Sequence, residues 1–385
     1  MIYLDCASTS LIKPRSVSDA VCNAMSGNFG NPGRGSGSSS LESSRLLLDA
    51  RKNIGALFGM QSPDNVILKS SVTESLNTLL IGLLKKGDHV ISSVMEHNSV
   101  LRPLERLRQN GIITYDLLGA DEFGRIKIEE IVNLEKKETK LIVLTHASNL
   151  CGTVQDITSV RQVLRNKDIF IVIDAAQTAG YIPVNINELS ADAIAFTGHK
   201  GLLGPQGTGG FILNDRLDSE MLPVFTGGTG SDSSSLSHPL FLPDKYEAGT
   251  ANIPGIAGLS AGVNHIFNEG IESIMSISRD LMIYFLAELE RFSFINLHGL
   301  NSHEGRIPCF SLTFDDIDPS FASYILDNKF GITTRPGLHC APLAHRAFGT
   351  EISGSLRISF NHMTNKCDID ALFSALSMLK GVSHD

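Results

Sequence analysis

The feature that most constrains this chain is an alternation that runs through its first half. Short apolar runs occur at Val66-Ile67-Leu68, His89 to Ser92, Lys140 to Thr145, Ile169 to Ile173, Ala193 to Phe196 and Gly210 to Leu213. Between most of them, apolar residues recur at three- and four-residue steps: Leu76, Leu79, Leu80, Leu83 and Leu84; then Val100, Leu101, Leu104 and Leu107; then Val160, Val163 and Leu164. The short runs read as parallel strands buried on both faces, and the stepped stretches as helices. Strand alternating with helix predicts an α/β fold, a mostly parallel sheet covered by helices on both faces. Such sheets bind ligands outside the carboxyl ends of their strands, so the residues that follow each run are where chemistry is expected.

Past about residue 255 the pattern changes. Cys309 to Phe314 and Ser355 to Phe360 alternate apolar with polar residues, as half-exposed antiparallel strands do. The expected organisation is a large domain over 15–255 and a smaller α+β domain made of 1–14 and 256–385, with the boundary near Pro254. Gly27 to Ser40, Thr226 to Ser237 and Gly331 to Leu343 read as loops.

Composition narrows the function. Hydrophobic residues are 42% and charged residues 19% of 385, enough for large cores and against a disordered or coiled-coil chain. A net charge of −9 disfavours nucleic acid or an anionic membrane surface as partner. No apolar run reaches the ~18–20 residues of a membrane span, and the first residues do not read as a signal peptide. The six cysteines, at 6, 22, 151, 309, 340 and 367, form no CxxC pair, so a reducing cytoplasm is expected.

Several polar groups fall at strand ends. The strand ending at Ile173 runs into Asp174, a costly place for a carboxylate unless it meets a cation or a donor; Asp is equally a helix cap. The strand ending at Phe196 leads to Thr197-Gly198-His199-Lys200 and then a glycine-rich stretch. A lysine there lies where the backbone lets a ligand approach, and desolvation would suit it to Schiff-base chemistry; it is equally a solvated loop lysine. Ser71-Val72-Thr73-Glu74 fits a capping box, and a helix start of this kind also binds phosphate. Met95-Glu96-His97-Asn98 places an imidazole after another strand, either to stack on a flat ring or as an ordinary loop residue. Thr145-His146-Ala147-Ser148-Asn149 brings polar groups to a fourth. No GxxxxGK[ST] motif supports a nucleoside triphosphate. Together, a lysine for an imine, a carboxylate for a pyridinium nitrogen, a phosphate cup and a stacking ring are what a protein needs to hold pyridoxal 5′-phosphate (PLP).

With these motifs in place, the chain resembles the PLP fold-type I, class V aminotransferase superfamily, and within it the cysteine desulfurases and selenocysteine lyases. The resemblance runs from Tyr3-Leu4-Asp5 to about Phe360. Asp174-Ala175-Ala176-Gln177 with Thr197-Gly198-His199-Lys200 carries it most strongly. Glu247-Ala248-Gly249-Thr250 and Arg335-Pro336-Gly337-Leu338-His339-Cys340 narrow it. The resemblance implies these roles. Lys200 is the Schiff-base lysine, Asp174 pairs with the ring nitrogen, Gln177 bonds the phenolic oxygen and His97 stacks on the ring. Thr73, Thr197 and His199 hold the phosphate. Thr250 reaches the phosphate bound by a neighbouring subunit, so the expected assembly is a homodimer with a shared active site. Asn149 lies near ring and substrate, Arg335 lies beside the substrate, and Arg357 binds the α-carboxylate.

Cys340 decides the reaction the resemblance implies. It would take sulfur from L-cysteine as a persulfide, leaving L-alanine, and pass the sulfur to an acceptor protein. Its short loop looks like that of the group II enzymes. L-Selenocysteine is the alternative substrate; a class V transaminase or other lyase with an incidental Cys340 is another alternative, and a cofactor-binding regulator a third. Metal binding by His339, Cys340 and His345 lacks a convincing fourth ligand. Two departures from the family pattern stand out: Asp5-Cys6-Ala7 replaces a common Asn-Ala-Ala run, and Gly35-Ser36-Gly37-Ser38 lacks the histidine that many relatives carry.

Overall fold

The structure is a computed structural model and describes residues 1–32, 37–231 and 234–379; Gly35 and Ser36, in the stretch that lacks the histidine of many relatives, lie outside the described residues. In chain order the elements are β1 (Ile2–Tyr3), α1 (Arg15–Ser26), α2 (Ser38–Phe58), β2 (Val66–Lys69), α3 (Val72–Leu83), β3 (Asp88–Ser93), α4 (Asn98–Gln109) and β4 (Ile113–Leu118). Then come α5 (Ile131–Leu134), β5 (Thr139–Thr145), α6 (Val160–Val163), β6 (Phe170–Asp174), β7 (Ala193–Thr197), β8 (Gly209–Leu213) and α7 (Asp215–Glu220). The last part holds α8 (Ile253–Glu269), α9 (Ile271–Leu289), β9 (Ile295–His298), β10 (Cys309–Phe314), α10 (Pro319–Phe330), β11 (Ile332–Thr333), β12 (Arg335–Gly337), α11 (Pro342–Ala347), β13 (Ser355–Ser359) and α12 (Lys366–Leu379).

The main sheet has seven strands in the order β2-β8-β7-β6-β5-β3-β4. Strand alternation divides its apolar residues between two cores. Ile142, Leu144, Ile171, Ile173, Ile194 and Phe196 join a core with α2 and α8. Leu141, Val143, Phe170, Val172, Ala193 and Ala195 join one with α3 and α4 on the opposite face. Two expectations change. Gly210 to Leu213 was expected as a parallel strand, but β8 pairs antiparallel with both β7 and β2. No helix separates β7 from β8, and a parallel return needs a crossover of a dozen or more residues. At the other edge β4, which the apolar runs did not reveal, pairs parallel with β3.

Cys309–Phe314 and Ser355–Ser359 pair antiparallel as expected, within a four-stranded sheet ordered β12-β13-β10-β9. Its core takes Leu281, Phe285, Phe310, Leu356, Leu372 and, from the chain's start, Leu4. β1 pairs parallel with β11, and Asp5 bridges to Ser359 in β13. The first residues are thereby laid across the second core and towards the carboxyl edge of the main sheet. Among the described residues, no helix is long and apolar enough to cross a membrane.

Candidate active site

The carboxyl ends of β3, β5, β6 and β7 gather the first group. Asp174, the last residue of β6, is buried; its Oδ1 accepts from Ala176 N–H (2.9 Å) and its Oδ2 from Ser99 Oγ (3.4 Å). The capping reading is thus half true, since one carboxylate oxygen closes a turn while the other faces Ser99. Burial raises its pKa, against the opposing pull of the Ala176 N–H, Lys200 and Ser99. Lys200 follows β7. Desolvation lowers its pKa to about 8; Asp174 opposes this, and Arg357 and Arg335 reinforce it. His97 caps α4, its Nδ1 accepting from Ser99 N–H (3.0 Å), which leaves the ring proton on Nε2. Burial, with Lys200, Arg335 and Arg357, lowers its pKa to about 4, so it is a neutral ring at pH 7. Gln177, buried, donates to Ala7 O (3.1 Å).

Beside it, Glu96 is fully buried. Its Oε1 accepts from Ser93 Oγ (2.6 Å) and Thr145 N–H (3.0 Å), and its Oε2 has no partner among the described residues. It clamps the end of β3 to the end of β5, next to Asp174. Burial pushes it up to about 8. The sequence carried one unused signal for it: a carboxylate between buried neighbours at a strand end.

The end of β7 and the start of α3 form a second group. Ser71 caps α3 by accepting from Glu74 N–H (3.2 Å), but Glu74 reaches back to Ser70 N–H (3.0 Å) rather than to Ser71, so the box closes one residue early. Gly209, paired with Thr197, lets this cap close in: a Cβ there would lie 2.9 Å from both Ser71 C and Phe196 O. Thr197 Oγ1 and His199 Nδ1 are buried and have no partner among the described residues. Unpaired buried polar atoms that can donate, beside a helix N-terminus, are a fitting cup for a phosphate. The loop behind them lies against α8, where a Cβ at Gly262 would sit 2.3 Å from Leu202 O. Thr73 is exposed on the first turn of α3.

A third group joins the chain's start to its end. Arg357, buried on β13, bonds Asp5 Oδ1 (2.7 Å), Ser8 Oγ (2.7 Å) and Asn149 O (3.0 Å), leaving Nε without a partner among the described residues. Arg335 Nη1 donates to the same Ser8 Oγ (2.7 Å), and Arg335 Nη2 lies 4.0 Å from Cys340 Sγ. Asn149 donates through Nδ2 to His339 O (2.7 Å). Cys340 is exposed, at a turn where both it and His339 have positive φ (56° and 50°). Its carbonyl accepts from Asn98 N–H (2.8 Å), one residue after His97. Neither Ser8 nor Ser99 had been singled out in the sequence.

Thr250 stands apart from these groups. It is exposed and lines a cleft of about 500 Å³ with Ser70, Thr208 and Gly209, reaching the phosphate cup from outside. Glu247 anchors its segment, paired with Arg51 (2.6 and 2.8 Å) and accepting from Leu68 N–H (2.6 Å).

A desolvated lysine, a buried carboxylate and a phosphate cup at the carboxyl edge of this sheet place the chain in the class of fold-type I PLP proteins. Within that class it belongs to the class-V aminotransferase family, whose model matches residues 2–372. It is 32% identical to a protein of Methanothermobacter thermautotrophicus named a probable cysteine desulfurase, over 99% of this chain and 95% of that one. It is 29% identical to the cysteine desulfurase of Haloferax volcanii, over 98% and 88%. The apo structure of a cysteine desulfurase from Thermococcus onnurineus superposes with a TM-score of 0.91 at 27% identity, covering 99% of this chain and 95% of that one.

Proposed function

We propose that this chain is a PLP-dependent cysteine desulfurase. It would convert L-cysteine to L-alanine while Cys340 takes the sulfur. The observation that carries the reading is Cys340 itself: an exposed thiol beside Arg335, its carbonyl held by the residue after His97. When bound, PLP supplies an aldehyde for Lys200 and an electron sink for the substrate's α-carbon.

The remaining chemistry is the protein's. Asp174 would pair with the ring nitrogen. His97, neutral, would cover the ring, and Gln177 would offer its amide to the phenolic oxygen. Thr197, His199 and the start of α3, with Thr73, would hold the phosphate. Lys200, with its lowered pKa, is suited to take and return a proton at the α-carbon near neutral pH. Arg335 and Arg357, joined through Ser8, receive the α-carboxylate; for a two-bond fork from Arg357, Asp5 or Ser8 must yield one contact or Nε must supply one. Asn149 orients both Arg357 and the Cys340 loop. Arg335 lies beside the Cys340 sulfur. As a thiolate, that sulfur attacks the substrate sulfur: an S–S bond forms, the carbon–sulfur bond breaks, and its electron pair takes a proton to give alanine. A persulfide remains on Cys340 for an acceptor protein or small thiol. The cleft at Thr250 supports a homodimer in which each Thr250 serves the other subunit's phosphate. The described cysteines are all free thiols, which suits a reducing cytoplasm.

The test is turnover of L-cysteine by the wild type and Cys340→Ala, assaying alanine and sulfide, with L-selenocysteine in parallel. Alanine from the wild type alone upholds the reading. Selenide from both proteins with no reaction of cysteine makes it a selenocysteine lyase. No reaction of either substrate, despite bound cofactor, points to a transaminase.

A further inference from the structure

The turn that carries Cys340 has an unusual support. His339, buried, bonds Arg335 O through Nε2 (2.9 Å), and its Nδ1 meets His345 Nε2 (3.1 Å). His345, also buried, meets Thr350 Oγ1 through Nδ1 (2.8 Å). A carbonyl can only accept, so every proton in this chain is assigned. His339 donates from Nε2 and accepts at Nδ1, His345 donates from Nε2 and accepts at Nδ1, and Thr350 donates its hydroxyl. The two rings lie nearly parallel, with centroids 5.3 Å apart. Among the described residues no carboxylate bonds either ring, and burial lowers the pKa of His339 to about 3 and of His345 to about 4. Both are neutral in the working range, so neither acts as a charge.

We propose that His339, His345 and Thr350 form a positioning relay that fixes Cys340 for attack on the substrate sulfur. The inference rests on the desulfurase reading. His339 and Cys340 both occupy the left-handed region, which side chains avoid unless the surroundings impose it. Three bonds impose it here: Asn98 N–H on Cys340 O, Asn149 Nδ2 on His339 O, and the relay on Arg335 O. The first two come from segments that carry His97 and contact Arg357. The third ties the turn to α11 and the loop after it. Its loss would leave Cys340 chemically intact but displaced, and small displacements of a reacting group cost on the order of 10²-fold in rate.

The test compares His345→Leu with His345→Gln in the PLP-loaded protein. Glutamine keeps a donor near the position of Nε2; leucine removes it. Two rates are read. One is single-turnover persulfide formation on Cys340, trapped by alkylation and located by peptide mass. The other is exchange of the α-hydrogen of L-alanine in deuterated water, which uses Lys200 but not Cys340. The relay predicts that His345→Leu slows persulfide formation by about 10- to 100-fold, leaves alanine exchange within about twofold, and is rescued by His345→Gln. Equal loss of both rates, or no loss of persulfide formation, overturns it. If His345→Leu does not fold, Thr350→Val removes the terminal donor with little change of shape and should slow persulfide formation alone; equal effects on both rates again overturn the proposal. Full desulfuration by Cys340→Ala removes the underlying reading whatever the His345 variants do.

Discussion

Single residues carry the sharpest electrostatic consequences. Glu96 has a folded-state pKa of about 8, above its unfolded value of 4.5. The folded protein therefore holds a proton that the unfolded chain releases, and stability falls as pH rises from about 4.5 to about 8. Glu96→Gln mimics the protonated group. Its stability relative to wild type should rise across that window by a few kcal/mol at most, measured by urea unfolding at pH 5 and pH 8.5. A gap that does not change with pH would show that Glu96 is not the group responsible. Lys200 gives a second test. Only its neutral amine condenses with an aldehyde, so uptake of PLP by the stripped protein should quicken about tenfold per unit up to its pKa near 8 and then level off. A flat profile from pH 6 to 9 would contradict that pKa. At this scale Asp174, Lys200, His97 and Cys340 were legible because each stands next to a readable strand or motif. Ser8 was not. Its meaning comes from two guanidinium groups more than 300 positions away, and no local pattern encodes that.

At the scale of elements, the phosphate cup depends on one close approach. Gly209→Ala would place a methyl 2.9 Å from the backbone of Ser71 and Phe196, neither of which can swing aside as a side chain does. Either α3 or β8 must shift. PLP affinity should fall by about tenfold, roughly 1.4 kcal/mol, while pyridoxal, which lacks the phosphate, should bind within about twofold of its wild-type affinity. Equal weakening of both ligands would mean the site is damaged in general. The central strands were legible because burial on both faces makes them continuous apolar runs. The reversed direction of β8 was not, since its apolar run reads the same either way and only its helix-free connection decides it. The edge strand β4 was missed because Ile113–Leu118 mixes polar and apolar residues, as a strand covered on one side does.

For the molecule as a whole, the placing of its cores suggests how it is divided. Ile256, Leu259, Val263, Ile266 and Ile274 join a core of the large sheet, and from Leu281 onward most buried apolar residues join that of the small sheet, although Ala341 and Ala344 return to the large-sheet core and Ile307 and Cys309 pack with Ala7. We propose that the two-domain division expected near 255 is better drawn between Ile274 and Leu281. The proposed dimer has its own test. Lys200→Ala and Thr250→Ala should each be impaired as homodimers. When the two are mixed and allowed to exchange subunits, activity should return, because the site on the Thr250→Ala chain keeps its lysine and regains a threonine from its neighbour. No recovery after exchange, confirmed by mass, would place Thr250 outside a shared site. The crossing of the chain's first residues onto its last strands also bears on how the protein is made. Ala7 N–H waits for Ser359 Oγ, 352 residues further on. At ~5–20 residues per second, a ribosome takes roughly 18–70 s to deliver that partner. For most of that interval Leu4 also lacks its core partners, which begin only at Leu281. Between the making of β8 and the making of β13 the newborn chain is able to build its main sheet but unable to close its catalytic centre.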